Sequence, residues 1–170
     1  CGLRNTAIGY RSGYCMTSGD YNVALGCGAL HDTSTTNCNT AVGNAALLLN
    51  TAGCNTGVGS KAACANTSGF RNVAVGHESL RANTIGCYNV ALGDRTLQTA
   101  VTASSNTAVG ASASFCNTTG CKTTAIGFQS LFKNSECILN TAVGANSLVC
   151  NTTGLGNTAV GESSLGCNCT

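Results

Sequence analysis

Apolar and polar positions recur along this chain in one pattern that returns every 17 residues. Its marker is the pentapeptide Asn-Thr-Ala-Val-Gly, which begins at Asn5, Asn22, Asn39, Asn55, Asn72, Asn89, Asn106, Thr123, Asn140 and Asn157. Successive starts differ by 17 except for one step of 16, between Asn39 and Asn55. Counted from the Asn, place two is Thr or Val, place three is Ala or, once, Gly57, and place four is Val, Ile or Leu. Place five is always Gly, place eight is always small, and place nine is usually Leu. A second signal, Asn-Thr-x-Gly, fills places twelve to fifteen, most clearly from Asn50, Asn66, Asn83, Asn117 and Asn151.

Alternation across places two to four predicts a short strand, with places two and four on one face and place three on the other. Each unit then reads as strand, glycine turn, strand, Asn/Gly turn. Helix is disfavoured by two turn glycines per unit and by the many β-branched residues and asparagines. A single short strand cannot bury a face, whereas unit stacked on unit can. The prediction is an all-β parallel β-solenoid of the β-roll type: ten coils, two short strands per coil, one domain over residues 1–170. At about 4.8 Å per strand, ten coils make a rod of roughly 48 Å. The place-four residues Ile8, Leu25, Val42, Val58, Val75, Leu92, Val109, Ile126, Val143 and Val160 are the expected structural core. Gly9, Gly26, Gly43, Gly59, Gly76, Gly93, Gly110, Gly127, Gly144 and Gly161 are the expected turn glycines, where the chain turns with φ > 0 or packs closely. The residue missing before Asn55 predicts a tightened turn after Gly53.

Composition narrows the class. With a net charge of +2 and abundant Thr and Val, the chain lacks the high charge and low hydrophobicity of disordered sequences. Its eight basic residues are scattered, so no phosphate-neutralising stripe forms and nucleic acid is not an expected partner. No run of 18 apolar residues is present to span a membrane. The first residue is Cys1, which reads as a mature or excised piece. Thirteen cysteines point to an oxidising, extracellular setting, and the odd count leaves at least one thiol unpaired or bonded to another chain. Stacking brings Cys38 beside Cys54, Cys121 beside Cys137 and Cys150 beside Cys167, three candidate disulfides. Cys27, Cys64 and Cys87 have no such neighbour and are read as small buried filler. Asn66, Asn117 and Asn151, with Asn168, open Asn-x-Ser/Thr sequons in one turn column, candidate glycosylation sites along one edge.

Chemistry is sparse. The six acids fall at different places in different coils, so no pair is focused for acid/base work. His31 and His77 stand alone, and no Cys/His cluster has the linear spacing of a zinc site. No enzyme activity, cofactor or metal is expected. Phe115 and Phe132 share a column, while Tyr21, Phe70 and Tyr88 lie near the turn before the pentapeptide. These aromatics either cap the core or form a contact patch for a partner chain or a glycan.

The pentapeptide, with its downstream small residue and Leu, resembles the head repeats of trimeric autotransporter adhesins and the related repeats of phage and giant-virus fibre proteins, from Asn5 to Leu165. The resemblance implies a left-handed parallel β-roll, often three chains side by side, used for attachment. Function is therefore expected to be structural: a segment of an extracellular or virion-surface fibre, whose partner is itself as a homotrimer or end-to-end filament. Cys1 and Thr170 both fall at place fourteen, as in a rod that continues coaxially. A second reading is an adhesin head whose variable places six, seven and ten, including Tyr10, His77, Asp94, Phe128 and Glu162, bind a cell-surface glycan or protein. A third is ice binding through Thr6, Thr40, Thr56, Thr107, Thr124, Thr141 and Thr158 at place two. It is weakened because the other Thr column, at place thirteen, lies in a turn.

Overall fold

A computed structural model describes residues 2–136 and 139–168. It contains ten three-residue strands, from Thr6–Ile8 to Thr158–Val160, hydrogen-bonded in chain order into one parallel sheet. Equivalent residues pair at every step, as at Val109 and Ile126. The chain is thus an all-β parallel solenoid with its coils in the predicted register, and no helix occurs among the described residues. The 16-residue step is absorbed without a slip: Thr40 pairs with Thr56 and Val42 with Val58. The Cys54 N–H donates to the Asn37 carbonyl at 3.0 Å, as the Cys38 N–H does to Asp20 one coil earlier. Asn50 Nδ2 reaches the Ala52 carbonyl where Asn66 reaches that of Gly69, so the shortening lies between Asn50 and Ala52 and not after Gly53.

Inside and outside are reversed relative to the sequence expectation. Ala24, Ala41, Ala74, Ala91, Ala108, Ala125 and Ala142 at place three are fully buried. The expected core column at place four, by contrast, is exposed at Ile8, Leu25, Leu92, Ile126 and Val160, and half-buried at Val42, Val58, Val75, Val109 and Val143. The interior is too narrow for a branched side chain on the sheet wall. Its apolar volume is supplied from the opposite wall by Leu30, Leu47, Leu80, Leu97, Leu131 and Leu148 at place nine, all fully buried. Gly57 gives the scale: a methyl there would already stand 3.0 Å from the Leu47 Cγ.

The second strand of each coil is not formed. Places six to eleven are a run of turns in which non-glycine residues at places seven and nine take left-handed φ, as at Lys61 (57°), Glu78 (53°), Leu80 (51°) and Leu97 (50°). Place seventeen does the same at Arg71 (55°), Tyr88 (59°) and Ser105 (60°). Each such residue costs about 1–2 kcal/mol, and the conformation persists because the neighbouring coils bond it on both sides. Glu78 N–H donates to the Ser60 carbonyl at 2.9 Å, and Leu80 N–H to the Thr96 carbonyl at 2.9 Å. The ten place-five glycines take φ from 121° at Gly161 to 136° at Gly93, as predicted for turn positions.

The recurring Asn at place one explains how coils close. Asn72, fully enclosed, donates from Nδ2 to the Gly86 carbonyl of its own coil at 2.8 Å. Its Oδ1 accepts the Asn89 N–H of the next coil at 3.0 Å. The same pair of bonds recurs at Asn22, Asn55, Asn89 and Asn106. A buried amide is tolerated only when its groups are paired, and here both halves are.

Candidate functional site

The outward face of the sheet is the most extended chemical feature of the surface. Because place three points inward, places two and four point outward and form two parallel columns running the length of the stack. One column carries Thr or Val, the other Val, Ile or Leu, and neither contains a charged residue. Exposure reaches 42% at Leu25, 44% at Leu92 and 60% at Ile8. At about 4.8 Å per coil the face extends for roughly 43 Å.

A second feature lies along the place-seventeen edge. Left-handed φ turns Arg4, Tyr21, Arg71 and Tyr88 outward in two matched pairs. The Arg4 guanidinium donates to the Tyr21 hydroxyl and sits 5.2 Å from that ring. Arg71 donates to the Tyr88 hydroxyl at 2.9 Å, and Phe70 meets Tyr88 edge-on at 5.2 Å. Phe115 and Phe132, in one column, stack with centroids 5.2 Å apart. Tyr10, Tyr21, Phe70, Tyr88 and Phe128 are exposed, so they decorate the surface and do not cap the core.

The cysteines behave differently from the sequence expectation. Cys38, Cys54 and Cys150 are free thiols, so neither Cys38–Cys54 nor Cys150–Cys167 is bonded. The Cys121–Cys137 pair includes a residue outside the described ones. The reason is geometric: equivalent Cβ vectors in parallel coils point the same way, leaving Cβ atoms about a strand spacing apart, wider than the ~3.8 Å of a disulfide. Cys27 is exposed and Cys64 and Cys87 are half-buried, so none of the three is enclosed filler. Burial pushes the Cys64 thiol up, against the pull of Arg81 and Lys61, and pushes Cys116 up against Lys133.

The sequons are closed as well. Asn66, Asn117 and Asn151 are fully buried, and their Nδ2 atoms donate to the carbonyls of Gly69, Gly120 and Gly154 at 2.8, 3.1 and 3.1 Å. A glycan needs that nitrogen in solvent, so the folded turn excludes it at these three positions. Place thirteen is committed to the stack in its bonding: Thr51, Thr67 and Thr84 donate their hydroxyls to the carbonyl of the next coil.

The histidines are not alone. His77 Nδ1 lies 3.0 Å from Asp94 Oδ1 in the next coil, and His31 Nδ1 lies 2.7 Å from Asp32 Oδ1. Cys15 joins the second pair, a convergence hidden in the sequence because its members are one coil apart. No helix among the described residues is long and apolar enough to cross a membrane. Fold and surface together define a β-solenoid repeat protein. Comparisons with protein-family models, curated proteins and solved structures return no match.

Proposed function

We propose that this chain is a non-enzymatic structural protein, a segment of an extracellular or virion-surface fibre that assembles with copies of itself. The observation that carries this reading is the uncharged outer sheet face, whose apolar residues are exposed or half-buried along the stack. Exposed apolar surface of this extent marks an interaction site in most soluble proteins. A second copy is the simplest cover, since the same two columns are available on it. Attachment to a glycan or protein would then fall to the edge bearing Arg4, Tyr21, Arg71 and Tyr88, which the face-to-face contact leaves open.

Sedimentation across a concentration series, with electron micrographs of the same samples, tests the assembly. Oligomers or filaments are expected. Leu92→Lys and Val75→Lys, both on the outer face, should return the chain to monomers without altering its circular dichroism. Monomers at every concentration would remove the support for self-assembly.

Ice binding is the second reading, favoured by the in-register exposure of the Thr/Val column at place two beside an apolar column at place four. Thermal hysteresis in the wild type, lost in Thr107→Lys, would move that reading ahead of the fibre.

A further inference from the structure

We propose that Cys15, His31 and Asp32 form a surface site for one zinc-like divalent cation. Cys15 and Asp32 occupy the same place in adjacent coils, and His31 precedes Asp32. One donor atom of each residue lies within 4.8 Å of the other two, the one such group of three among the described residues. Cys15 Sγ is 4.0 Å from Asp32 Oδ1, and His31 Nδ1 is 2.7 Å from the same oxygen. With metal–ligand distances near 2.0–2.3 Å, tetrahedral geometry sets such atoms roughly 3.3–3.6 Å apart, so shifts of about half an ångström bring the two distances to Asp32 into range. The Cys15–His31 donor pair, within 4.8 Å, closes by up to about 1.3 Å.

The surroundings hold the donors in place. Cys15 N–H bonds the His31 carbonyl at 2.9 Å and Asp32 N–H bonds the Leu48 carbonyl at 2.9 Å, fixing both backbones to the stack. The imidazole of His31 lies flat on Tyr14, with centroids 5.2 Å apart and planes 15° from parallel. Its side chain is 22% exposed and that of Asp32 44%, enough for a cation to enter. A groove of about 410 Å³ bounded by Tyr10, Arg11, His31, Asp32 and Leu48 opens beside them.

The donor set selects the ion. Thiolate with imidazole and one carboxylate suits zinc and its neighbours, whereas magnesium and calcium want oxygen alone. Thiolate and carboxylate together carry two negative charges, matching a divalent cation. Binding forms an S–metal bond as the S–H bond breaks, and that proton passes to buffer; no oxidant or reductant takes part. Three protein donors leave the fourth position to water. His77 and Asp94 repeat the imidazole–carboxylate pair without a thiol and serve as an internal comparison.

The test is titration of the reduced chain with Co²⁺, read by the thiolate charge-transfer band, and with Zn²⁺ by calorimetry. One equivalent should bind with release of a proton. Cys15→Ser should abolish the band and weaken zinc by more than about 100-fold, beyond what loss of an outer hydrogen-bonding partner produces. Asp32→Asn and His31→Gln should also weaken it, and Cys64→Ser and His77→Gln should leave it unchanged. His31→Gln decides the case if Cys15→Ser fails to fold, since it changes a different coil. Absence of the band in the wild type, or wild-type affinity in Cys15→Ser, or in His31→Gln where Cys15→Ser does not fold, overturns the site.

Discussion

Replacing Gly110 by Ala separates the steric demand of stacking from the strain of a glycine backbone. Gly110 has a φ of 127°, and a methyl built on it would lie 2.6 Å from the Gly127 carbonyl oxygen and 2.7 Å from its carbon. Ordinary contact begins at 3.4 Å, so the coils must part by most of an ångström. They would part where Gly127 N–H bonds the Val109 carbonyl at 2.8 Å. Losing one such buried bond costs about 1–3 kcal/mol. The glycine-only φ adds about 1–3 kcal/mol, and the stiffer unfolded chain returns about 0.4–1 kcal/mol. The expected loss is therefore about 3 kcal/mol. Gly161 has a φ of 121° with nothing within 4 Å of an added methyl, so Gly161→Ala should lose only the backbone part, about 1–2 kcal/mol. Gly156, at 66° and equally open, occupies the left-handed conformation that Tyr88 and Ser105 hold at the same place. Gly156→Ala should therefore cost about 1–2 kcal/mol and regain about 0.4–1 kcal/mol from the unfolded chain, the smallest net loss of the three. Urea unfolding followed by circular dichroism ranks the three. Equal losses at Gly110 and Gly161 would refute the steric account.

Further outcomes follow from the reversed faces, the asparagine column and the thiols. Leu97→Ala, in the core, should cost about 2–5 kcal/mol, whereas Leu92→Ala, on the outer face, should cost less than about 1 kcal/mol in monomers; the same unfolding assay compares them. Thr123 interrupts the asparagine column, its hydroxyl and N–H both turned to Asn106 Oδ1. Thr123→Asn would offer Asn140 an amide oxygen and should raise stability by about 1 kcal/mol. Cys64 and Cys116, whose ionisation burial disfavours, should alkylate more slowly than exposed Cys38 and Cys54, as mass spectrometry of a timed labelling would show. Their raised folded-state ionisation range means that whatever stability they contribute is intact at neutral pH and is lost as the pH climbs through that range.

The period, the strand positions, the parallel register and the turn glycines were all legible, because a 17-residue recurrence leaves equivalent residues little choice but to stack. What misled was the assumption that the larger apolar residue marks the inside. The tighter size limit at place three, Ala at every coil but that of Gly57, was the better sign of burial. A thin coil admits a methyl on one wall and a Leu on the other. The missing second strand has a different cause: left-handed φ at Leu80 or Lys61 is something no propensity argument selects, since it exists only when neighbouring coils impose it. The sequons and cysteines were read by spacing, which is blind to the direction of a side chain. For the same reason the approach of Cys15 to His31 and Asp32 escaped a search along the chain, although their columns could have shown it.

The buried amides have a direction. At each step that they join, the oxygen belongs to the earlier coil and the N–H to the later one, as from Asn22 to Asn39 and from Asn140 to Asn157. Within this column, a plane passed between two of these coils separates acceptors on the earlier one from donors on the later one, although main-chain bonds cross it both ways, as Val23 N–H to Asn39 and Gly43 N–H to Leu25. Two such rods meeting coaxially are complementary only when both point the same way, so a filament grown by this contact is vectorial, with chemically distinct leading and trailing faces.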